Sequence, residues 1–233
     1  MTHIRMERVD GIGLITIDRP ARFNSLDVRT AQDFRRAGLQ YAREDDVRVV
    51  VLRGLPGMFC SGADLKFIRD GGDAGDLGYL APDAPHAGYG ETFKQILEYI
   101  HSTISEIRRA PKPFIAAVDG IAAAGGFGIA MSCDLVVAST RATFEWAYSK
   151  TGLTGAESST FLLPKLIGLR RSMELMLLNP RLSAEDWSPA SSPATRQTWN
   201  APEPASVPPR SPAALTPPAT TIGCCTSMRS PKR

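Results

Sequence analysis

Apolar and polar positions in the first four-fifths of the chain switch repeatedly between a period of two and a period near 3.6. That is the signature of strands alternating with helices. Ile12 to Asp18 reads as a strand, and Pro20 to Asn24 as a turn. From Val28 to Arg43 the apolar residues Ala31, Phe34, Leu39 and Ala42 fall near one face, with Arg, Asp and Glu elsewhere, which predicts an amphipathic helix. Val47 to Arg53 reads as a buried strand, since its centre, Val49 to Leu52, is an apolar run flanked by Arg48 and Arg53, and Gly54 to Gly57 is a turn. A helix opening at Ala63 or Asp64 runs through Ile68, and residues 70–90, rich in Gly, Asp, Ala and Pro, read as a loop. Glu91 to Arg109 predicts a helix that stops before Pro111. Pro113 to Asp119 and Asp134 to Ala138 predict strands, with a helix between them running from Ala124-Gly125-Gly126 to Cys133. Ser158 to Ile167 and Arg170 to Leu178 are helical, and Ser183 to Asp186 reads as a helix start. Strand–helix alternation of this kind indicates an α/β fold.

The pattern stops at Trp187. The last 46 residues, 188–233, carry 10 of the 18 prolines, and 34 of them are Pro, Ala, Ser, Thr or Arg. Their charge also differs, with 5 basic residues and 1 acidic one against 22 and 23 in residues 1–187. A segment with so few large apolar residues and no periodicity cannot bury a core. The chain therefore divides into a folded body, 1–187, and a Pro/Ala/Ser-rich tail, 188–233. One reading of the tail is a disordered linker. The other is a GC-rich coding sequence read out of frame. Joining the third base of each codon to the first two of the next forces Leu at Asp186-Trp187 and Glu at Trp199-Asn200. Starting at Glu185, the shifted frame permits Gly-Leu-Val-Ser-Arg-Val-Val-Pro-Gly-Asp-Glu, which reads as a strand and a helix start.

Composition narrows the classes further. The 233 residues carry a net charge of +3, too little to argue for nucleic acid or a membrane surface, and no apolar run reaches the length of a membrane span. The N-terminus lacks the apolar stretch of a secretory signal. Four cysteines offer neither a disulfide framework nor a zinc spacing. A reduced, cytoplasmic protein with no metal is expected.

Two glycine-containing turns carry the candidate chemistry. One is Phe59-Cys60-Ser61-Gly62-Ala63-Asp64-Leu65, and the other runs from Asp119-Gly120 through Gly125-Gly126-Phe127-Gly128. Each follows a buried strand and opens a helix, where backbone N–H groups lack partners and negative charge is favoured. Brought together, two such turns make an oxyanion hole for a carbonyl becoming an enolate. Taken singly, each also suits tight helix–strand packing. A dinucleotide fingerprint fits poorly, because its first glycine would be Ala123.

The ordered set of Arg19-Pro20, Asn24-Ser25-Leu26, Phe59 to Leu65, Lys112-Pro113, Gly120 to Gly126 and Cys133-Asp134 resembles the enoyl-CoA hydratase/isomerase (crotonase) family. The likeness covers about residues 8–187 and continues through Phe161 to Gly168, Arg170-Arg171 and Met173-Glu174-Leu175. It implies a spiral of ββα units, an acyl-CoA thioester as substrate and partner, assembly as a homotrimer or hexamer, and no cofactor beyond the coenzyme A of the substrate. It assigns the oxyanion amides to Ala63 and Gly125. It places Lys66, with Asp64 and Leu65 beside it, in the substrate-binding region.

The two glutamates of a family hydratase fall at Gly128 and Tyr148, so both carboxylates are missing. Neither residue replaces a carboxylate base near neutral pH. Glu157 is the acid/base candidate that remains, and it also suits the first turn of the helix from Ser158; Glu145 is a second carboxylate nearby. His101 and Tyr148 complete the expected substrate-binding set. His101 matches the base histidine of 4-chlorobenzoyl-CoA dehalogenases, and Tyr148 the tryptophan that holds their nucleophilic aspartate. The expectation is double-bond isomerisation or hydration of an acyl-CoA. Dehalogenation and an inactive acyl-CoA-binding homologue are the alternatives.

Overall fold

The computed structural model describes residues 1–72 and 88–187. The tail assigned to 188–233 and most of the loop assigned to 70–90 lie outside the described residues. The first element is a hairpin of β1 (Ile4–Val9) and β2 (Ile12–Ile17), paired from Ile4–Ile17 to Val9–Ile12. Its two turn residues, Asp10 and Gly11, both have positive φ, 48° and 79°, as the tight turn that suits strand twist requires.

α1 (Val28–Arg43) follows, its N-terminus capped by the Asp27 carboxylate, which accepts from the Thr30 amide at 2.8 Å. Its buried face is Val28, Ala31, Phe34, Ala37 and Tyr41, while Leu39 is only half-buried. Ala37 lies on the axis of the apolar stripe and Leu39 at its margin.

The rest of the chain climbs as a spiral. β3 (Val49–Arg53), β5 (Phe114–Val118) and β7 (Leu135–Ala138) extend the first sheet in the order β1-β2-β3-β5-β7, parallel after the hairpin. After each of these strands the chain turns a corner and adds a short strand to a second sheet. These strands are β4 (Met58–Cys60), β6 (Ile121–Ala123) and β8 (Thr143–Glu145), closed by β9 (Arg181–Ser183) antiparallel to β8. The helices α2 (Leu65–Arg69), α3 (Tyr89–Arg109) and α4 (Gly125–Ser132) complete the units, and a Leu26–Ala63 bridge supplies the second-sheet contact of the first. The corners stack directly. A side chain at Gly120, where φ is +77°, would place its Cβ 1.9 Å from the Gly57 carbonyl oxygen. Glycine is required there both by conformation and by space.

All eight residues of α4 are buried, so it has no polar face, and Phe59, Phe114, Phe127 and Phe144 are fully buried around the two sheets. Burying each such ring contributes roughly 2 kcal/mol or more. The chain ends its described course in α5 (Ser159–Ile167), α6 (Leu169–Leu178), β9 and α7 (Ala184–Trp187). Among the described residues no helix is long and apolar enough to cross a membrane.

Candidate active site

A cavity of about 180 Å³ opens where β4 and β6 end and α4 begins. Ser61, Ala63 and Leu65 line it from the first glycine turn, and Ala124 and Gly125 from the second. Phe93 of α3 faces it, as do Ala147, Tyr148, Lys150, Thr151, Leu153 and Glu157 from the chain between β8 and α5.

The two turns touch backbone to backbone. A Cβ at Gly62 would lie 3.0 Å from the Gly125 nitrogen and 3.0 Å from the Ala124 Cβ. In the first turn the Leu26 amide donates to Gly62 O at 2.8 Å and the Asp64 amide to Leu26 O at 2.9 Å. This parallel bridge leaves the Ala63 N–H directed away from Leu26. In the second, Ala124 precedes α4 with φ 46° and ψ −118°, a conformation that L-residues rarely adopt. Holding it costs about 1–3 kcal/mol, the strain typical of a site whose backbone must be aimed. Neither the Ala63 nor the Gly125 amide has an acceptor among the described residues.

Glu157 enters from the opposite wall. Gly155, Glu157 and Ser158 have φ values of 123°, 51° and 57°, so the loop reverses tightly before α5. The carboxylate is consequently not a helix cap. It turns inward, where Tyr148 donates its hydroxyl hydrogen to Oε2. The space it fills is left by Gly128, where a Cβ would sit 2.7 Å from the Glu157 Cβ and 3.4 Å from the Tyr148 hydroxyl. The position where a family hydratase has its first glutamate thus makes room for a carboxylate arriving from elsewhere in the chain. Glu157 is 2% exposed, and among the described residues no cation pairs with it. Burial pushes its carboxyl up to about 7, with the Tyr148 hydrogen bond pulling the other way. Burial, and then the charge of Glu157, raise the Tyr148 phenol well above its ordinary value, so the phenol stays a donor.

The other sequence candidates fall in different places. Leu65 is half-exposed at the cavity rim. Asp64 is turned away from the cavity. Its carboxylate caps α2 by accepting from the Lys66 and Phe67 amides at 3.1 and 3.0 Å, and it receives Arg19 at 2.8 Å and Arg22 at 2.5 Å. Opposed by burial, these donors hold it well below the ordinary carboxylate range, which makes it a structural acid rather than a ligand group. Lys66 is exposed on α2 and does not line the cavity. His101 does not line it either; its Nε2 accepts the backbone N–H of Glu157 at 3.1 Å. Glu145 belongs to β8, where Lys150 and Arg181 pair with its two oxygens and Asn179 lies alongside. Cys60, behind the first turn, is pushed by burial up to about 12 and is inert as a nucleophile.

Phe93, Lys150, Thr151 and Leu153 reach the cavity without any signal in the sequence that distinguishes them from surface and core residues.

The geometry has counterparts among known proteins. The enoyl-CoA hydratase/isomerase family pattern matches residues 7–190. The 4-chlorobenzoyl coenzyme A dehalogenase-2 of an Arthrobacter species is 32% identical over 184 residues, 79% of this chain and 62% of that protein. The 1,2-epoxyphenylacetyl-CoA isomerase of Escherichia coli K12 is 33% identical over 75% of this chain and 62% of its own length. Among solved structures, a probable enoyl-CoA hydratase/isomerase from Mycobacterium abscessus superposes with a TM-score of 0.67 at 28% identity, over 80% of this chain and 65% of that one. The chain thus spans about three-fifths of the length of the curated relatives it matches. With both sheets, the spiral order and the matched span in agreement, this chain belongs to the enoyl-CoA hydratase/isomerase family.

Proposed function

We propose that the chain catalyses double-bond migration in an acyl-CoA thioester, with Glu157 as the single proton carrier and the Ala63 and Gly125 amides as the oxyanion hole. The observation that carries this reading is one buried carboxylate, with no cation beside it among the described residues, occupying the space Gly128 leaves open. Hydration by the family's usual route uses two carboxylates to hold and split water. Here the second of those positions is Tyr148, whose phenol is committed to Glu157.

The thioester oxygen accepts from the two amides. The Glu157 carboxylate removes a proton from C2 of a 3-enoyl thioester, and the electron pair spreads onto the oxygen as a dienolate. Glu157 then returns the proton at C4, leaving the double bond between C2 and C3. A carboxyl poised near 7 is matched to both halves of this shuttle at neutral pH. Coenzyme A enters as part of the substrate, and the chemistry calls on no other cofactor.

A dehalogenase-like activity is the second reading, favoured by the 32% identity to two Arthrobacter dehalogenases and by the contact of His101 with the Glu157 backbone. In this arrangement, however, the His101 lone pair is already taken by that N–H.

The deciding assay offers the full chain a 3-enoyl-CoA, crotonyl-CoA and 4-chlorobenzoyl-CoA. Formation of the 2-enoyl isomer, lost in Glu157→Gln, is expected. Faster water addition to crotonyl-CoA, or chloride release, would replace the proposal with hydration or dehalogenation. Acyl-CoA binding with no turnover of any of the three would make the chain a binding protein.

A further inference from the structure

The contact between His101 and Glu157 spans 56 positions of sequence and joins the middle of α3 to the loop that carries the acid/base. The acceptor is a ring nitrogen and the donor is the amide of the base residue itself. Glu157 and Ser158 are consecutive non-glycine residues at φ 51° and 57°, a conformation that reverts to extended or right-handed backbone unless something holds it. Other contacts brace the segment: the Ser159 amide donates to Ala156 O at 2.8 Å and its hydroxyl to the same oxygen, the Leu162 and Phe161 amides donate to Ser158 O at 2.9 and 3.1 Å, and Tyr148 holds the carboxylate end. None of these reaches the Glu157 amide.

We infer that His101 is a positioning residue: its neutral Nε2 accepts the Glu157 amide hydrogen and thereby holds the left-handed turn that aims the carboxylate past Gly128 into the cavity. This rests on the isomerase reading above and assigns His101 no proton transfer of its own. Nε2 is unprotonated in this geometry, because it is the acceptor. The imidazole acts through one backbone hydrogen bond, so another side-chain acceptor of the same reach can replace it. The glutamine Oε1 lies about where the histidine Nε2 does, whereas leucine fills the volume with no acceptor.

The test compares His101→Leu and His101→Gln in the full chain by two independent measurements. The first is hydrogen exchange at the Glu157 amide, which needs no substrate. Exchange faster by roughly 10-fold or more in His101→Leu, and within about 3-fold of the parent in His101→Gln, is expected for a hydrogen bond that is lost and then restored. The second is 3-enoyl-CoA isomerisation. A fall in kcat of roughly 10-fold in His101→Leu with KM little changed, and recovery in His101→Gln, is expected of a misplaced base. His101→Leu in a Glu157→Gln background should cost nothing further. Unchanged exchange in His101→Leu would overturn the inference whatever the activity. A kcat loss as deep in His101→Gln as in His101→Leu would overturn it too, since the imidazole would then be acting as an acid or base. If the parent chain proves inactive toward 3-enoyl-CoA, the isomerase reading fails while the exchange comparison still decides the contact.

Discussion

Asp64 and Glu157 are both carboxylates removed from water, and their surroundings differ in almost every other respect. Asp64 lies at the start of α2 with two arginines and two backbone amides on its oxygens, and stays ionised far into acid. Glu157 has the hydroxyl of Tyr148 and is pushed to about 7. Burial penalises the charged form in both places. What separates the structural acid from the proposed proton carrier here is how many donors offset that penalty.

The largest effect should come from removing the compensated charge. Asp64→Asn would leave Arg19 and Arg22 facing an amide, and a loss of about 3 kcal/mol of unfolding free energy at pH 7 is expected. Urea denaturation monitors it, and a loss below about 1 kcal/mol would mean that the two arginines find water instead.

Glu157→Gln should do the opposite to stability while abolishing chemistry. A fall in isomerase kcat of roughly 100-fold or more is expected. At pH 8, where the parent must keep a buried carboxylate with a single hydroxyl donor inside, the variant should be the more stable, by up to about 3 kcal/mol. At pH 5 the two should unfold alike. A variant less stable than the parent at pH 8 would show that Glu157 has a compensating partner after all.

The two groups also act on opposite sides of the pH scale. Glu157 has its folded pKa raised above its unfolded value of 4.5, so its stabilising contribution is complete below that value. It is lost as pH rises through about 7. Asp64 has its folded pKa lowered, so its contribution is present above its unfolded value of 3.8 and disappears as pH falls below it. Stability measured from pH 3 to 9 should therefore decline at both ends, and Glu157→Gln should flatten only the alkaline side. Activity should run against that decline, with kcat/KM rising as pH passes through about 7. A pH-independent kcat/KM between 6 and 8 would count against Glu157 as the base.

The smallest effect tests the space itself. Gly128→Ala puts a Cβ 2.7 Å from the Glu157 Cβ, so the loop must give way. A drop in kcat of about 10-fold, with little change in thermal stability, is expected of a base displaced by a fraction of an ångström. An unchanged kcat would show that the loop moves without cost.

The long elements of this fold are legible in the sequence because their apolar periods run for many residues. The helix at Val28–Arg43 and the strands at Val49–Arg53 and Phe114–Val118 emerge within a residue or two. The strands of the second sheet are three residues each, too short for any period to register. The first hairpin is a different kind of omission, since Val9-Asp10-Gly11-Ile12 carries a strong local turn signal. In the site, the two glycine turns are visible because close backbone approach demands small residues. The inward aim of Glu157 is not, because it depends on a left-handed turn and on a histidine far away in sequence. The absence of a side chain at Gly128 reads as a missing carboxylate in one dimension and as a vacant volume in three.

Trp187 closes α7 with its ring stacked on Phe144 at 5.4 Å and edge-on to Phe127 at 4.9 Å. Phe127 lies two residues after Gly125 on α4, so the indole sits on the far end of the helix turn that opens the cavity. Its ring nitrogen has no acceptor among the described residues. An indole in such surroundings emits to the blue of one in water and responds to small displacements of the rings around it. Replacing Trp146 and Trp199 with phenylalanine would leave Trp187 as the sole indole emitter. The acyl-CoA binding proposed for the cavity at the start of α4 can then be tested optically, without a label.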